Sequence, residues 1–264
     1  MIAQGIRVSP EWLLLREPAD ASARSGELAE RLVRHLATGG RLEIHDLGGG
    51  SGAMGRWLAP RLPGPQHWVV HDRDADLLGL AAANAPGPAA DGTAVTVETR
   101  RSDITRLAQE DLAGASLIAA SGLLDLLTGD ELVAMLDACR GRPTLLTLTV
   151  VGRVTLSPVD SLDGRIGAAF NLHQRRGGLL GPDAVVACVG ELGEQVLVRP
   201  SPWRLDAADG ELAAEWFDGW VAAACEQDPG LAAEAGAYRE RRLRQAAAGE
   251  LGVTVGHADL LVLP

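Results

Sequence analysis

The segment Ile44-His45-Asp46-Leu47-Gly48-Gly49-Gly50-Ser51-Gly52 places a carboxylate near the end of an apolar run, followed by four glycines in five residues. Glycine has no Cβ and accepts positive φ, so such a turn lets backbone groups come close to a ligand. A helix predicted to open at Ala53 adds the unpaired N–H groups of its first turn. This arrangement suits a nucleoside-type cofactor. Two spacings fit it: Asp46-x-Gly48-x-Gly50-x-Gly52, and Gly50-Ser51-Gly52-Ala53-Met54-Gly55, which matches the G-x-G-x-x-G dinucleotide fingerprint. Asp72 closes the next apolar run 26 residues after Asp46. A carboxylate there is placed to accept hydrogen bonds from ribose hydroxyls, with Arg73 beside it. The competing role for Asp72 is a helix N-cap.

The elements that must position these groups follow from periodicity. Ser9-Pro10 starts a short helix that should stop before Pro18. A longer helix is predicted over 20–37, its apolar face formed by Leu28, Leu32, Val33 and Leu36, and Gly39-Gly40 ends it. Strands are predicted at 41–47, 67–72, 94–99, 117–120 and 144–151. Helices between them cover 53–58, 74–84 and, from the capping box at Thr128-Gly129-Asp130-Glu131, a stretch to about Arg140. This alternation predicts an α/β fold, a doubly wound Rossmann-like sheet with helices on both faces. In such sheets ligands sit at the carboxyl ends of the strands, near the switch in strand order. Asp46, Gly48 to Gly52, Asp72 and Asp103 all fall at such ends.

After 151 the alternation weakens. Helices are predicted at 159–174 and 182–191, a strand at 195–199, a hairpin of helices at 211–226 and 231–248, and a closing strand at 253–263. We read a single domain over 1–264: an N-terminal helical cap (1–38), a Rossmann-like core (39–200), a helical insertion (201–250) and a last strand (251–264).

Composition narrows the function. The net charge of −11 argues against a duplex nucleic-acid partner, which needs a basic footprint. All 24 basic residues are arginine, which excludes a lysine Schiff base or a P-loop lysine. Cys139, Cys188 and Cys225 form no C-x-x-C, and the six histidines form no H-x-x-x-H pair, so neither a metal nor a disulfide framework is expected. No apolar h-region and no run of membrane-spanning length is present, and a cytoplasmic location away from membranes is expected.

In the first of the two spacings, the glycine turn resembles motif I of the class I S-adenosylmethionine-dependent methyltransferases. The resemblance covers about residues 40 to 200 and the last strand. It implies an antiparallel last strand added to a mostly parallel sheet, S-adenosyl-L-methionine as cofactor and S-adenosyl-L-homocysteine as product. On this reading Asp46, Gly48, Gly49, Gly50, Ser51 and Gly52 hold the methionine part, and Asp72 and Arg73 lie at the ribose. Asp103 takes the adenine amine and Ile104 lies on the ring. Ser121 lines the channel to the acceptor, and Arg16 or Arg24 pairs with the methionine carboxylate. The turn departs from many relatives in having glycine at Gly49, a variation expected to leave the turn intact.

Methyl transfer needs an in-line acceptor, and a base when that acceptor is a hydroxyl or a protonated amine. Asp125, in Ser121-Gly122-Leu123-Leu124-Asp125, and His173, in Phe170-Asn171-Leu172-His173, are the candidate bases. Arg175-Arg176 either hold an anionic group or end a helix. Trp216, Phe217 and Trp220 read as the buried seam of the helical hairpin. The expected activity is methyl transfer to an O or N atom of a small molecule by a monomer or homodimer. The alternatives are an NAD-type oxidoreductase, which would lack a Tyr-x-x-x-Lys, and a non-catalytic S-adenosylmethionine-binding module.

Overall fold

Apolar runs without alternation, such as Leu117-Ile118-Ala119-Ala120, are buried along their length, as parallel strands covered on both faces must be. The computed structural model describes residues 8–36 and 40–264. Its elements in chain order are α1 (Pro10–Ala23), α2 (Gly26–His35), β1 (Leu42–Leu47), α3 (Ala53–Leu58), β2 (Gln66–Asp72), α4 (Ala75–Ala83), β3 (Val95–Arg101), β4 (Leu117–Ser121) and α5 (Gly129–Cys139). Then come β5 (Thr144–Ser157), α6 (Asp163–Gln174), α7 (Ala184–Leu192), β6 (Val196–Pro200), β7 (Trp203–Leu205), α8 (Gly210–Gln227), α9 (Ala232–Ala247) and β8 (Gly252–Val262).

The sheet order is β3-β2-β1-β4-β5-β8-β6, with β7 also paired to β8. The pairs from β3 through to β5 are parallel; β8 runs antiparallel to β5, β6 and β7. The chain therefore winds outward from β1 to β3, then crosses to β4. The switch in strand order lies between β1 and β4, and the glycine turn leaves the carboxyl end of β1 there. The expected doubly wound sheet with an antiparallel final strand is what is found.

Leu28 and Leu32 of α2 and Trp57 and Leu58 of α3 pack on Ile44, Trp68 and Leu117 on one face. On the other face Leu132 and Met135 of α5 and Ala184 and Cys188 of α7 pack on Leu47, Ile118 and Leu146. A third core belongs to a lobe. Phe217 and Trp220 of α8, Tyr238 of α9 and Ile166 of α6 pack with Leu156, Trp203, Val253 and Val255. Phe217 and Trp220 of the aromatic seam are thus buried, as the spacing indicated, while Trp216 is only partly buried against them. The lobe is pinned by Arg242, whose guanidinium donates to both oxygens of Asp163 at 2.6 and 2.8 Å, with the Tyr238 hydroxyl on the same carboxylate.

Three expectations are corrected, and one strand is added. The first helix does not stop before Pro18; α1 runs through it to Ala23. Proline removes one N–H and crowds the preceding turn, but Arg16 and Asp20 pair across it and Trp203 Nε1 donates to Asp20 at 2.9 Å. The break falls at Arg24-Ser25 instead, where the Ser25 hydroxyl caps α2 and its N–H donates to Asp259 at 2.7 Å. The predicted end of that helix at Ala37 and Gly39 lies outside the described residues. β5 continues to Ser157, because β8 supplies a partner along its added length. α6 starts at Asp163 rather than Val159. The Asp160 carboxylate takes the Leu162 N–H, and Arg242 and Tyr238 fix Asp163 at the helix start. β7 is a strand that periodicity did not reveal.

Candidate functional site

Gly48, Gly50 and Gly52 have φ of 63°, 52° and 81°, and Gly52 is the left-handed N-cap of α3. Gly49 is required for a different reason. A Cβ built there would stand 2.6 Å from Asp46 Oδ2 and 2.8 Å from Val70 Cγ1. The turn is intact with glycine at this position, as expected, and the reason is local: Asp46 fills the space a Cβ would need. The turn is strung onto the end of β2, with the Gly49 N–H donating to the His71 carbonyl at 3.0 Å and the Gly50 N–H to Asp72 Oδ2 at 2.9 Å.

Asp46 is completely buried, and neither carboxylate oxygen has a hydrogen-bond partner among the described residues. Burial pushes its carboxyl up to about 7, against the pull of the Arg24 guanidinium. Arg24 is itself buried. It donates to the Ser121 hydroxyl at 3.0 Å and the Thr147 hydroxyl at 3.4 Å, and stacks 5.5 Å from the Trp57 ring centroid. One guanidinium nitrogen, Nη1, has no partner among the described residues. Buried donors left unpaired are costly, so a polar ligand group beside Ser121 would meet a prepared cation.

Asp72 does not cap α4; Asp74 does. Both Asp72 oxygens accept backbone N–H groups, from Gly50 and from Asp74 at 2.9 Å each. A carboxylate accepts about four hydrogen bonds, so capacity remains for ribose hydroxyls. Arg73 follows, its carbonyl taking Arg101 Nε at 3.1 Å. Across from it Asp103 leads a 3-10 turn (Ile104–Arg106), accepting from the Thr105 N–H and hydroxyl. Those bonds hold its carboxyl below the ordinary value. Ile104 is buried beside it.

Arg16 is committed elsewhere than expected. Its Nε and Nη2 donate to Asp20 at 3.0 and 3.2 Å, and its guanidinium lies 5.0 Å from the Trp203 ring centroid. Trp203 also neighbours His257 of β8, centroids 5.3 Å apart, and Trp12 of α1, at 6.3 Å. Burial pushes the His257 imidazole down to about 3, and its Nδ1 has no partner among the described residues. Arg16 reaches over Gly122 at the end of β4, where Nη2 is 3.7 Å from a Cβ built on that glycine. Asp125 follows in a 3-10 turn (Leu124–Leu126). Its Oδ1 is buried without a partner among the described residues, and burial pushes its carboxyl up to about 6.

His173 stands in the last turn of α6 and is tied to the lobe, with Nε2 3.3 Å from Glu226 of α8. Arg176 pairs with the same glutamate and Arg175 with Asp183, so both arginines serve local ion pairs. Asp46, Gly48–Gly52, Asp72, Arg73, Asp103, Ile104 and Ser121 are therefore gathered at the carboxyl edge of β1–β4, with Asp125 at the end of β4 and Arg16 above it.

Sequence reasoning missed the clasp between Glu17 and Arg56. Both guanidinium edges of Arg56 are used: Nε and Nη2 meet Glu17 at 2.6 Å each, and Nη1 donates to the Ser51 carbonyl at 2.7 Å. This holds α1 against the glycine turn. Its only sequence trace is a basic residue in the first helix after the turn. Among the described residues no group of three or more His, Cys, Asp or Glu could hold a metal ion, and no helix is long and apolar enough to cross a membrane.

No family model matches the chain, and no curated protein matches it. Solved structures do. A protein assigned as a methyltransferase of an antibiotic biosynthesis pathway in Anabaena variabilis aligns over 93% of this chain and 100% of its own, with TM-score 0.50 and 12% identity. An S-adenosylmethionine-dependent methyltransferase of Geobacter sulfurreducens in complex with S-adenosyl-L-homocysteine aligns over 98% and 100%, with TM-score 0.47 and 17% identity. One from Thiobacillus denitrificans, with the same molecule bound, gives 98% and 100%, TM-score 0.46 and 15%. At these identities the likeness is one of fold, and the Anabaena structure carries it.

Proposed function

We propose that the chain is an S-adenosylmethionine-dependent methyltransferase acting on an O or N atom of a small molecule. One observation carries this reading. The Asp72 carboxylate is bonded to the Gly50 N–H of the glycine turn at the switch in strand order, which joins the ribose and methionine ends of the expected pocket in one contact. The unpaired Arg24 Nη1 and the donors of the turn suit a ligand carrying both a carboxylate and a nucleoside.

When bound, the cofactor supplies an electrophilic methyl group on a sulfonium. In this reading the protein's part is placement. Asp72 takes the ribose hydroxyls, Asp103 the adenine amine, and Arg24 rather than Arg16 the carboxylate, because the fork of Arg16 is already given to Asp20. Asp125 is the favoured base. Its raised pKa lets it accept a proton from an acceptor hydroxyl or ammonium near neutral pH. His173, held by Glu226, is the second candidate. The acidic net charge and the aromatic lobe favour a small acceptor over nucleic acid.

Calorimetric titration with S-adenosylmethionine, S-adenosylhomocysteine and NAD(H) tests this, beside an Asp72→Asn variant. The expected result is binding of the first two ligands, weakened roughly 10- to 100-fold in the variant by loss of a charged hydrogen-bond acceptor. Binding of NAD(H) alone would overturn the reading in favour of redox chemistry. Tight cofactor binding without turnover across a broad acceptor panel would favour a binding module.

A further inference from the structure

On the sheet face opposite Asp46 and Asp72, four side chains form an unbroken line of hydrogen bonds. Glu43 Oε1 is 3.2 Å from His45 Nε2, His45 Nδ1 is 3.0 Å from His71 Nε2, and His71 Nδ1 is 3.0 Å from the Ser102 hydroxyl. Both imidazoles are buried, at 1% and 2% exposure, so they are not surface chance contacts. Their chemistry gives the line a direction. An ionised Glu43 only accepts, so His45 donates to it through Nε2–H and offers Nδ1 as an acceptor. His71 must then donate through Nε2–H, and its Nδ1 accepts the Ser102 hydroxyl proton. Burial lowers both imidazoles from their ordinary values, His71 to about 4, which favours the neutral forms this direction uses.

The line ends at the candidate cofactor site on both of its last members. The His71 carbonyl takes the Gly49 N–H at 3.0 Å. The Ser102 N–H donates to the Asp72 carbonyl at 2.9 Å, and the next residue is Asp103. β3, which leads into Ser102, is the edge strand of the sheet and is partly exposed along its length. An edge strand has ladder bonds on one side only, and its end frays unless tied. Apolar residues at 45 and 71 would fill the same space without the desolvation cost of two imidazoles. The polar line is accounted for if it fixes the end of β3.

We propose that the Glu43–His45–His71–Ser102 line sets the loop bearing Asp103 at a fixed distance from the glycine turn, making His45, His71 and Ser102 positioning residues for the adenosine end of the cofactor. This rests on the cofactor reading above.

The test is calorimetric titration of S-adenosylhomocysteine into the wild-type protein and Ser102→Ala, Ser102→Thr, His71→Phe and the His71→Phe/Ser102→Ala double variant, with melting temperature measured for each. Ser102→Ala should weaken binding roughly tenfold, as loss of one partly buried hydrogen bond does, and Ser102→Thr, which keeps the hydroxyl, should restore it. The double variant should bind no more weakly than His71→Phe, since both changes cut the same line. Wild-type affinity in Ser102→Ala, or losses that add in the double variant, would overturn the positioning role and leave the cofactor reading standing. Failure of the wild-type protein to bind would overturn both. Ser102→Ala keeps the test decisive if His71→Phe does not fold.

Discussion

Gly49 lies directly over the Asp46 carboxylate, so close that any side chain there would meet Oδ2 at 2.6 Å. The turn and the buried acid are thus one packing unit. Gly49→Ala must push the turn away from β1, which disturbs the Gly50 N–H to Asp72 bond next to it. Overpacking of this kind costs about 1–3 kcal/mol. For a chain of this size that is a fall of roughly 2–4 °C in melting temperature per kcal/mol. Thermal unfolding should show that fall, and titration should show loss of S-adenosylhomocysteine binding. A variant with unchanged melting and binding would mean that the turn has slack the geometry denies.

Asp46 also makes stability depend on pH. Its folded value, about 7, lies above the ordinary 3.8. Between those values the folded state holds the proton more tightly than the unfolded chain does, so this group's contribution is present at low pH and fades as pH rises through 7. Asp46→Asn removes the dependence. The melting temperature of the variant relative to wild type should increase between pH 5 and pH 8, and a constant difference would contradict the raised value.

The proposed base, Asp125, predicts a second pH signature, of opposite sense in activity. As a base it works ionised, so methyl transfer to a hydroxyl acceptor should rise with pH through about 6 and level off above. Asp125→Asn should lower kcat by about 10²–10⁴ and remove that limb. If the limb persists in the variant, the proton goes elsewhere, and His173→Gln becomes the next comparison.

Arg242 is 1% exposed and holds Asp163 with two bonds. Arg242→Met leaves that carboxylate and the Tyr238 hydroxyl without their cation. Removing one partner of a buried pair costs about 3–5 kcal/mol. Hydrogen exchange should show the loss first in α8 and α9, with β1 and β4 protected until global unfolding; equal loss throughout would mean that lobe and sheet unfold as one unit.

What the sequence disclosed and what it hid divide along the range of the interactions. The glycine turn, the capping box at Thr128 and the end of α3 at Leu58 depend on neighbours a few residues apart, and all stand where periodicity put them. The place of Arg24 depends on Ser121, 97 residues away. β7 has three residues, too few for a pattern, and exists because β8 offers it an edge. Local rules make Pro18 a stop, and Trp203, far along the chain, helps keep the helix whole. His45 and His71 are 26 residues apart, with nothing in the local sequence to link them. Only the pairing of β1 with β2 makes them partners.

β5 and β8 run from the middle of the sheet, where β5 pairs with β4, into the lobe that carries Trp203 and the α8–α9 hairpin, and their register shifts twice on the way, between Leu146 and Thr149 and between Val150 and Val154. Two strands rather than a loop thus join the lobe to the sheet, so a strain placed on α8 and α9 is handed to the strand beside β4. On the other side α1 works as a tie, held to the glycine turn by the clasp of Glu17 with Arg56 and to the lobe by the stack of Arg16 on Trp203.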